Sequence, residues 1–450
     1  MYVSARGQVE FPPGYTPPNL PHDDDDSRPA KRQRKSRVMS ERKDLDAHDK
    51  APDSVKIWYK RWQRMESAAF NTRFDIIDCG SDPDGKTFPK HMLREVSEPG
   101  FADVGKVFGE FMGGDSDVGH GLKTPRVFEV KSMPGLLIYP NILPQPLQLR
   151  LLDNLLHRDL SNPQHQTNVH LHYNVPYGAP QPHASGHNAS FFDPSARTLP
   201  IKPKTSHTAL DVPRMLDKKL RWMTLGGQYD WTSKTYPARP PPPFPEDVKN
   251  LVQGLFPMKA EAAIVNLYSP GDTLSAHRDV SEACAQPLVS ISLGCEAIFI
   301  AAIEDEPAPS SATAVSGDPA APPPATTATS TKGGRGGLGK LRSAVLRLRS
   351  GDAVLMSGEA RYAWHGVPRV AANTCPGFMR SWPAGTESVD GVEEDRYEGY
   401  RGWMAGKRVN LNVRQMFADI AAEGEGVGGG DVDVLAAMGK GTVAGAEAGA

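Results

Sequence analysis

The chain is predicted to adopt a mainly β, α+β fold: a jelly roll or β-sandwich with helices flanking it on the N-terminal side. Three observations predict this. Short apolar runs of strand texture, bounded by Gly, Pro or Asp, recur between Ala262 and Arg414. Helical spacings are concentrated ahead of them. The remainder is Pro-, Gly-, Ala- or charge-rich and offers no apolar period, so it cannot offset its ordering entropy by burial. Setting aside 304–340, segments 134–303 and 341–418 amount to ~250 residues, an acceptable size for one domain.

Composition excludes several classes. Fifty-one Lys and Arg against fifty-three Asp and Glu give a net charge of −2. No global basic field recruits nucleic acid, and any such attraction must be local. Four cysteines (Cys79, Cys284, Cys295, Cys375) form no C-x-x-C pair, which reads as structural thiols in a reducing compartment. No 18-residue apolar run and no apolar signal region stand out, so no membrane partner is expected.

Residues 1–52 are polar and Pro-rich and read as a disordered tail. Within them Asp23–Asp26 precede Lys31, Arg32, Arg34, Lys35 and Arg37, a run that reads either as a solvated tail or as a nuclear-localisation or nucleic-acid-contacting arm. Residues 53–133 read as a helical extension. There Val55, Trp58, Trp62 and Met65 fall on one helical face, with Asp53 or Ser54 as N-cap, and two tryptophans on one stripe imply core more than a ligand platform. Leu136–Tyr139 is a short strand. Pro146 opens a helix whose buried stripe is Leu147, Leu151, Leu152, Leu155 and Leu156. Residues 161–207 carry His165, His170, His172, His183, His187 and His207. Their irregular spacing without cysteines favours a long loop over a zinc site. Residues 221–237 read as a strand pair crowned by aromatics, and Val248, Leu251, Val252 and Leu255 mark a further helix. Strands follow at Leu288–Leu293, Ala297–Ala302, Ala344–Arg349, Ala353–Met356 and Arg408–Arg414, with a disordered insertion at 304–340 and a disordered tail over 423–450.

The segment from Asn266 to Glu282 organises the rest. It reads as a strand, a Pro270-Gly271 turn and a second strand carrying His277 and Asp279. Residues two apart in a strand share a face, so imidazole and carboxylate stand side by side. Completed by a distant histidine, such a pair holds iron(II) with open positions for substrate and oxygen. H-x-D also occurs at His22/Asp24, in an acidic run, and at His157/Asp159, where a helix turns residues two apart away from each other. His365 is the best third ligand; its structural alternative is packing beside Trp364. Arg408, Asn410, Asn412 and Arg414 share one strand face. Two arginines in an apolar strand are costly unless they meet an anion, and a dicarboxylate would meet one as a bidentate pair. Surface ion pairs are the alternative. Asn266 and Tyr268 share a face one strand earlier.

The ordered set N-x-Y, P-G, H-x-D, S-G-D, H-x-V-P-R and R-x-N-x-x-x-R resembles the AlkB family of iron(II)/2-oxoglutarate dioxygenases. The text at Leu220–Gly226, Tyr229–Lys234 and Glu261–Asn266 is similar to its eukaryotic AlkB homologue one branch. The resemblance implies a double-stranded β-helix over 134–422, with His277, Asp279 and His365 binding Fe(2+). It implies that Asn266, Tyr268, Arg408 and Asn410 hold 2-oxoglutarate, that Arg414 lies near cosubstrate and substrate, and that O2 is the second cosubstrate. The family's aromatic lid is matched in part by Tyr229 and Trp231, which offer stacking faces to a flipped or single-stranded base. Asn412 stands where threonine is usual, and the 304–340 insertion lengthens the interval between ligands. The implied reaction is oxidative demethylation of N-methylated bases in transfer RNA or DNA, releasing formaldehyde and succinate, by a monomer of the nucleus or cytoplasm, with mitochondria the alternative. Lys332, Arg335, Lys340, Arg342, Arg347 and Arg349 could contact phosphates or form a solvated charge run. Two rival functions share the fold: a dioxygenase acting on a protein side chain such as that of a histone, and a non-catalytic jelly-roll interaction protein.

Overall fold

Strand alternation settles which side chains face inward. The computed structural model describes residues 45–80, 89–97, 103–114, 125–178, 189–237, 240–304, 341–385 and 395–418. A two-residue ladder of Tyr2–Val3 with Val9–Glu10 belongs to a separate N-terminal unit. The basic run at Lys31–Arg37, the insertion 305–340 and the 423–450 tail lie outside the described residues.

In chain order the main elements are α1 (Asp53–Gln63), β1 (Ile77–Asp78), β2 (Leu93–Val96), α2 (Val104–Met112), β3 (Val127–Val130), β4 (Leu136–Tyr139), α3 (Gln145–Asp153), β5 (Trp222–Gly226) and α4 (Glu246–Leu255). They continue through β6 (Ala262–Tyr268), β7 (Leu274–His277), β8 (Leu288–Gly294), β9 (Ala297–Glu304), β10 (Leu341–Leu348), β11 (Ala353–Met356), β12 (Trp364–Val370) and β13 (Arg408–Arg414). Among the described residues these strands make an eight-stranded sheet, β2-β3-β4-β11-β8-β13-β6-β5, and a five-stranded sheet, β7-β12-β9-β10-β1. The pairings are antiparallel except β10 with β1.

Period two sorts the smaller sheet. Ala297, Phe299 and Ala301 of β9 point into the main core, while Ile298 and Ile300 point outward and meet Tyr59 and Trp62 of α1. The predicted tryptophan stripe is therefore core: Trp62 is 1% exposed. The leucines of the predicted stripe in α3 and the π-turn Asn154–Asp159 that continues it are all buried. The tight turn between β8 and β9 requires Gly294 at φ +84°, because a Cβ there would lie 2.4 Å from the Lys407 carbonyl oxygen.

Several expectations are corrected. Residues 53–133 hold two helices but are not a helical extension, since β2 and β3 extend the large sheet. Their apolar residues Leu93, Val127, Phe128 and Val130 are buried against the common core, but Arg94, Glu95 and Glu129 interrupt these four-residue runs and hide the strand pattern. Residues 221–237 form one strand, β5, followed by a turn closed by a single Asp230–Thr235 bridge. Asp230 captures the Thr232 amide and the Ser233 hydroxyl, which favours a tight turn over a second strand. The described histidines of 161–207 sit in turns: His165 Nδ1 reaches the Asp159 carbonyl and His170 Nδ1 takes the Thr167 amide proton. Arg347 and Arg349 are neither phosphate contacts nor a solvated run, because Asp78 and Glu296 pair with both.

His157 is a core histidine. Its ring stacks on Tyr397 at 4.4 Å and touches Trp382 and Phe192 at 5.0 and 5.4 Å. Asp153 lies 4.0 Å away, but its carboxylate accepts the Trp382 indole N–H at 2.7 Å. Burial, reinforced by Arg396, depresses the ring's pKa to about 3. The folded value lies below the unfolded one, so this stability is complete above pH ~6.5 and is lost as pH falls toward 3. From pH 7 to pH 5 the loss is about 2 kcal/mol. His157→Gln is expected to remove that part of the pH dependence in urea unfolding; equal pH slopes in both proteins would overturn the assignment.

Candidate active site

Three side chains from two distant segments converge at one end of the five-stranded sheet. A bulge between Leu274 and His277 shifts the β7–β12 register, so both residues face inward while Ala276 packs outside. His277 then pairs in register with His365 on the neighbouring strand. Asp279 lies two residues past the end of β7, not on the strand as expected. His277 Nε2 is 3.8 Å from Asp279 Oδ1, and His365 Nε2 is 3.6 Å from Asp279 Oδ2. All three ligand atoms lie within 4.8 Å of one another.

The backbone sets the tautomers. His277 Nδ1 donates to the Ser275 carbonyl at 2.9 Å, and His365 Nδ1 donates to the Ala363 carbonyl at 3.0 Å. Each Nε2 is thereby left with its lone pair aimed at the shared centre. Burial, with His365 beside it, depresses the His277 pKa to about 4, so this ring is neutral near pH 7. Burial alone would raise the Asp279 carboxyl; Arg414, His365 and His277 overcome it and hold the group well below the usual carboxylate range. Two imidazoles and one carboxylate form a face suited to a divalent iron.

Behind Asp279 stands a buried ionic chain that sequence reading missed. Arg414 Nη2 donates to Asp279 Oδ2 at 2.9 Å, and its Nε lies 3.0 Å from Glu282 Oε1. Arg361 donates to Glu282 Oε2 at 2.9 Å, to the Asp279 carbonyl at 2.7 Å and to the Gln286 carbonyl at 2.8 Å. Glu282 and Arg361 come from an irregular loop and a 3-10 turn, where no periodicity marks a charge as buried. The family resemblance places Arg414 near cosubstrate and substrate; its guanidinium also braces Asp279 and Glu282, while its Nη1 stays buried without a partner.

Next to the triad lies a cavity lined by Leu274, Ser290, Phe299, Val367, Arg408 and Asn410 among others. Tyr268 faces Arg408 and Asn266 faces Asn410 across the β6–β13 ladder. Asn410 donates to Ser290 Oγ and the Ile291 carbonyl, both at 2.9 Å. Arg408 is 1% exposed and donates to Ser292 Oγ at 2.8 Å, yet no carboxylate among the described residues pairs with it. Burial lowers its pKa to about 10, which leaves it cationic. Its Nε and the Tyr268 hydroxyl are buried without partners.

Aromatic residues lead outward from the acidic ligand. The Tyr229 hydroxyl is 3.4 Å from Ser281 Oγ, two residues beyond Asp279. The Tyr229 ring meets Trp231 at 5.0 Å, and Trp231 meets Trp222 at 5.1 Å. Trp231 is 38% exposed.

Residues 135–414 match the family model described as the 2OG-Fe(II) oxygenase superfamily. The N6-methyladenosine RNA demethylase ALKB1 of Pyricularia oryzae is 38% identical over 391 residues, 83% of this chain and 98% of that protein. The chain is an AlkB-family iron(II)/2-oxoglutarate dioxygenase. Two other relatives agree. The N6-methyladenosine RNA demethylase ALKBH of Cryphonectria parasitica is 43% identical over 55% of this chain and 99% of its own length. The tRNA demethylase abh1 of Schizosaccharomyces pombe is 35% identical over 65% of this chain and 82% of its own length.

The family's cofactor and cosubstrate fit the residues present. The donor set matches iron(II), and the uncompensated Arg408 cation with its orphaned Nε beside the Tyr268 hydroxyl matches a dicarboxylate. The two halves of this site come from different sheets: the His277–Asp279–His365 donor set lies on and just beyond β7 and on β12, and the Arg408–Tyr268 group lies on β13 and β6.

Proposed function

We propose that this dioxygenase removes N-methyl groups from bases of nucleic acid, RNA or DNA. Its relatives, named as RNA and transfer-RNA demethylases, support the substrate class. The observation that carries the reading is the aromatic path from Tyr229 through Trp231 to Trp222, which starts beside the acidic ligand and is exposed at Trp231. A continuous run of aromatic rings leading outward from the acidic ligand offers stacking faces to a base taken out of its stack.

In this reading His277, Asp279 and His365 hold iron(II), and Arg408, Tyr268, Asn266 and Asn410 hold 2-oxoglutarate. Arg414 fixes Asp279 as an ionised ligand, and Tyr229 grips the methylated base while Trp231, the next ring outward, carries its neighbour. The bound metal and cosubstrate supply oxidising power: O2 and 2-oxoglutarate give succinate and carbon dioxide, and the second oxygen atom goes to the methyl carbon, which leaves as formaldehyde. The chain's own share is geometry. The two histidines, held through Nδ1 by backbone carbonyls, present Nε2 to the metal, Arg408 orients a carboxylate, and the apolar lining of Leu274, Phe299 and Val367 excludes water. Action as a monomer in the nucleus or cytoplasm is part of the same proposal.

The test offers methylated transfer RNA, methylated DNA and a methylated histone peptide with iron(II) and 2-oxoglutarate, and measures formaldehyde and loss of the mark. Formaldehyde is expected from nucleic acid. Formaldehyde from the peptide alone would transfer the activity to protein substrates.

A further inference from the structure

The aromatic path ends on a surface that the reaction chemistry does not use. The short turn Asn168–Leu171 lies between two basic segments. On one side the Asn168 side chain donates to the Lys219 carbonyl at 2.8 Å and accepts the Arg221 and Trp222 amides at 2.8 and 3.3 Å. On the other, Lys204 donates its amide to the His172 carbonyl at 2.8 Å and its ammonium to the His170 carbonyl at 2.6 Å. Lys202 sits in the adjoining ladder with Asn174. Lys202, Lys204, Lys219 and Arg221 are all exposed.

The carboxylates here are already engaged. Asp217 lies 2.8 Å from Lys218 and 3.1 Å from Lys407, Asp272 takes Arg221 at 2.7 Å, and Asp230 caps its own turn. Among the described residues no carboxylate pairs with Lys202, Lys204 or Lys219. Leu171 and Trp231, 53% and 38% exposed, are two of the five large hydrophobic side chains exposed among the described residues; Leu171 lies in the turn, and Trp231 packs on Trp222, whose amide the Asn168 side chain accepts. Lysines without a carboxylate partner near an exposed aromatic face are what a single-stranded polynucleotide engages: charge for the backbone, rings for the bases.

We propose that the ridge of Lys202, Lys204 and Lys219 carries the phosphodiester backbone of a single strand, with bases flanking the methylated one stacked on Trp222 and Trp231. The proposal rests on the nucleic-acid reading above and adds to it that the ligand is a strand of several nucleotides, not an isolated nucleoside. The ridge also explains how a chain of near-zero net charge recruits a polyanion: the attraction is local.

The test uses the full chain and a fluorescein-labelled, unmethylated twelve-nucleotide RNA, with binding read by anisotropy across salt concentrations. Neutralising three single-strand phosphate contacts, each worth a slope of about 0.7, is expected to lower the slope of log affinity against log salt by about 2 in the triple variant Lys202→Gln/Lys204→Gln/Lys219→Gln. Affinity at low salt should fall more than tenfold, and Trp231→Ala should weaken binding about tenfold with its salt slope unchanged. The visible absorption of the iron(II)–2-oxoglutarate complex should be the same in the triple variant, which reports an intact fold and site. An unchanged salt slope, or no binding of the RNA by the natural protein, would overturn the ridge. The two proposals fail separately. Formaldehyde from methylated RNA at undiminished efficiency in the triple variant would remove the ridge alone, whereas ridge-dependent binding without formaldehyde would remove the demethylation reading alone.

Discussion

His277→Ala abolishes turnover, with a loss of at least ~10³-fold, on every substrate the natural enzyme accepts. The expectation follows from the donor count. The centre has three protein ligands, and the two histidines contribute one Nε2 each while their Nδ1 atoms are committed to backbone carbonyls. Removing one imidazole leaves one nitrogen and one carboxylate, too few to hold iron(II) with defined geometry. Iron(II) titration of the variant should show no saturable binding at concentrations that fill the natural protein. The fold should persist, because the inner-face residues around His277 belong to β12 and β9, whose pairing does not need the ring. Retained iron binding or turnover would remove His277 from the ligand set.

Arg408→Met separates the two halves of the site. Arg408 is buried, cationic and without a carboxylate partner among the described residues, so it is costly in the unliganded protein and valuable once a dicarboxylate arrives. Losing one member of a buried charge pair costs about 2–5 kcal/mol, so the 2-oxoglutarate requirement should rise by roughly 30- to 5,000-fold. Iron(II) binding should stay close to natural, since Arg408 touches none of the three ligands. Thermal unfolding of the unliganded variant should occur at the same temperature or higher, because methionine replaces an unpaired buried charge with apolar volume. An unchanged 2-oxoglutarate requirement, or a strongly destabilised unliganded variant, would reassign Arg408 to a structural role.

Much of this site could be read from residue order because its chemistry sits on regular strands. Parity placed Arg408 and Asn410 on one face and set Asn266 beside Tyr268, and the register of β6 with β13 brings the two pairs together. His277 and His365, far apart in sequence, meet because β7 and β12 are neighbours. Parity misled at Asp279, which lies beyond its strand, and the β7 bulge that turns His277 inward left no mark in the sequence. Glu282 and Arg361 were hidden for a different reason. Nothing in an irregular loop distinguishes a charge that will be desolvated from one that stays in water, and their burial became visible only when Arg414 and the Asp279 carbonyl stood next to them. The strands β2 and β3 were missed because Arg94, Glu95 and Glu129 break up their short apolar runs, and because their contribution lies in extending a sheet begun elsewhere.

The β9–β10 hairpin has a consequence for how this chain tolerates change. Its ladder is paired without a slip from Ala297 with Leu348 down to Glu304 with Leu341, so the two strands are zipped to the very foot of whatever joins them. The ends that any joining segment must meet are therefore set by the ladder and not by that segment. Closure entropy rises only by about 0.6 kcal/mol for each doubling of a flexible connection. Growth or shrinkage between 305 and 340 is thus thermodynamically cheap and mechanically silent at the metal: the sequence distance from His277 to His365 can drift over generations while the few ångströms between their nitrogens stay put.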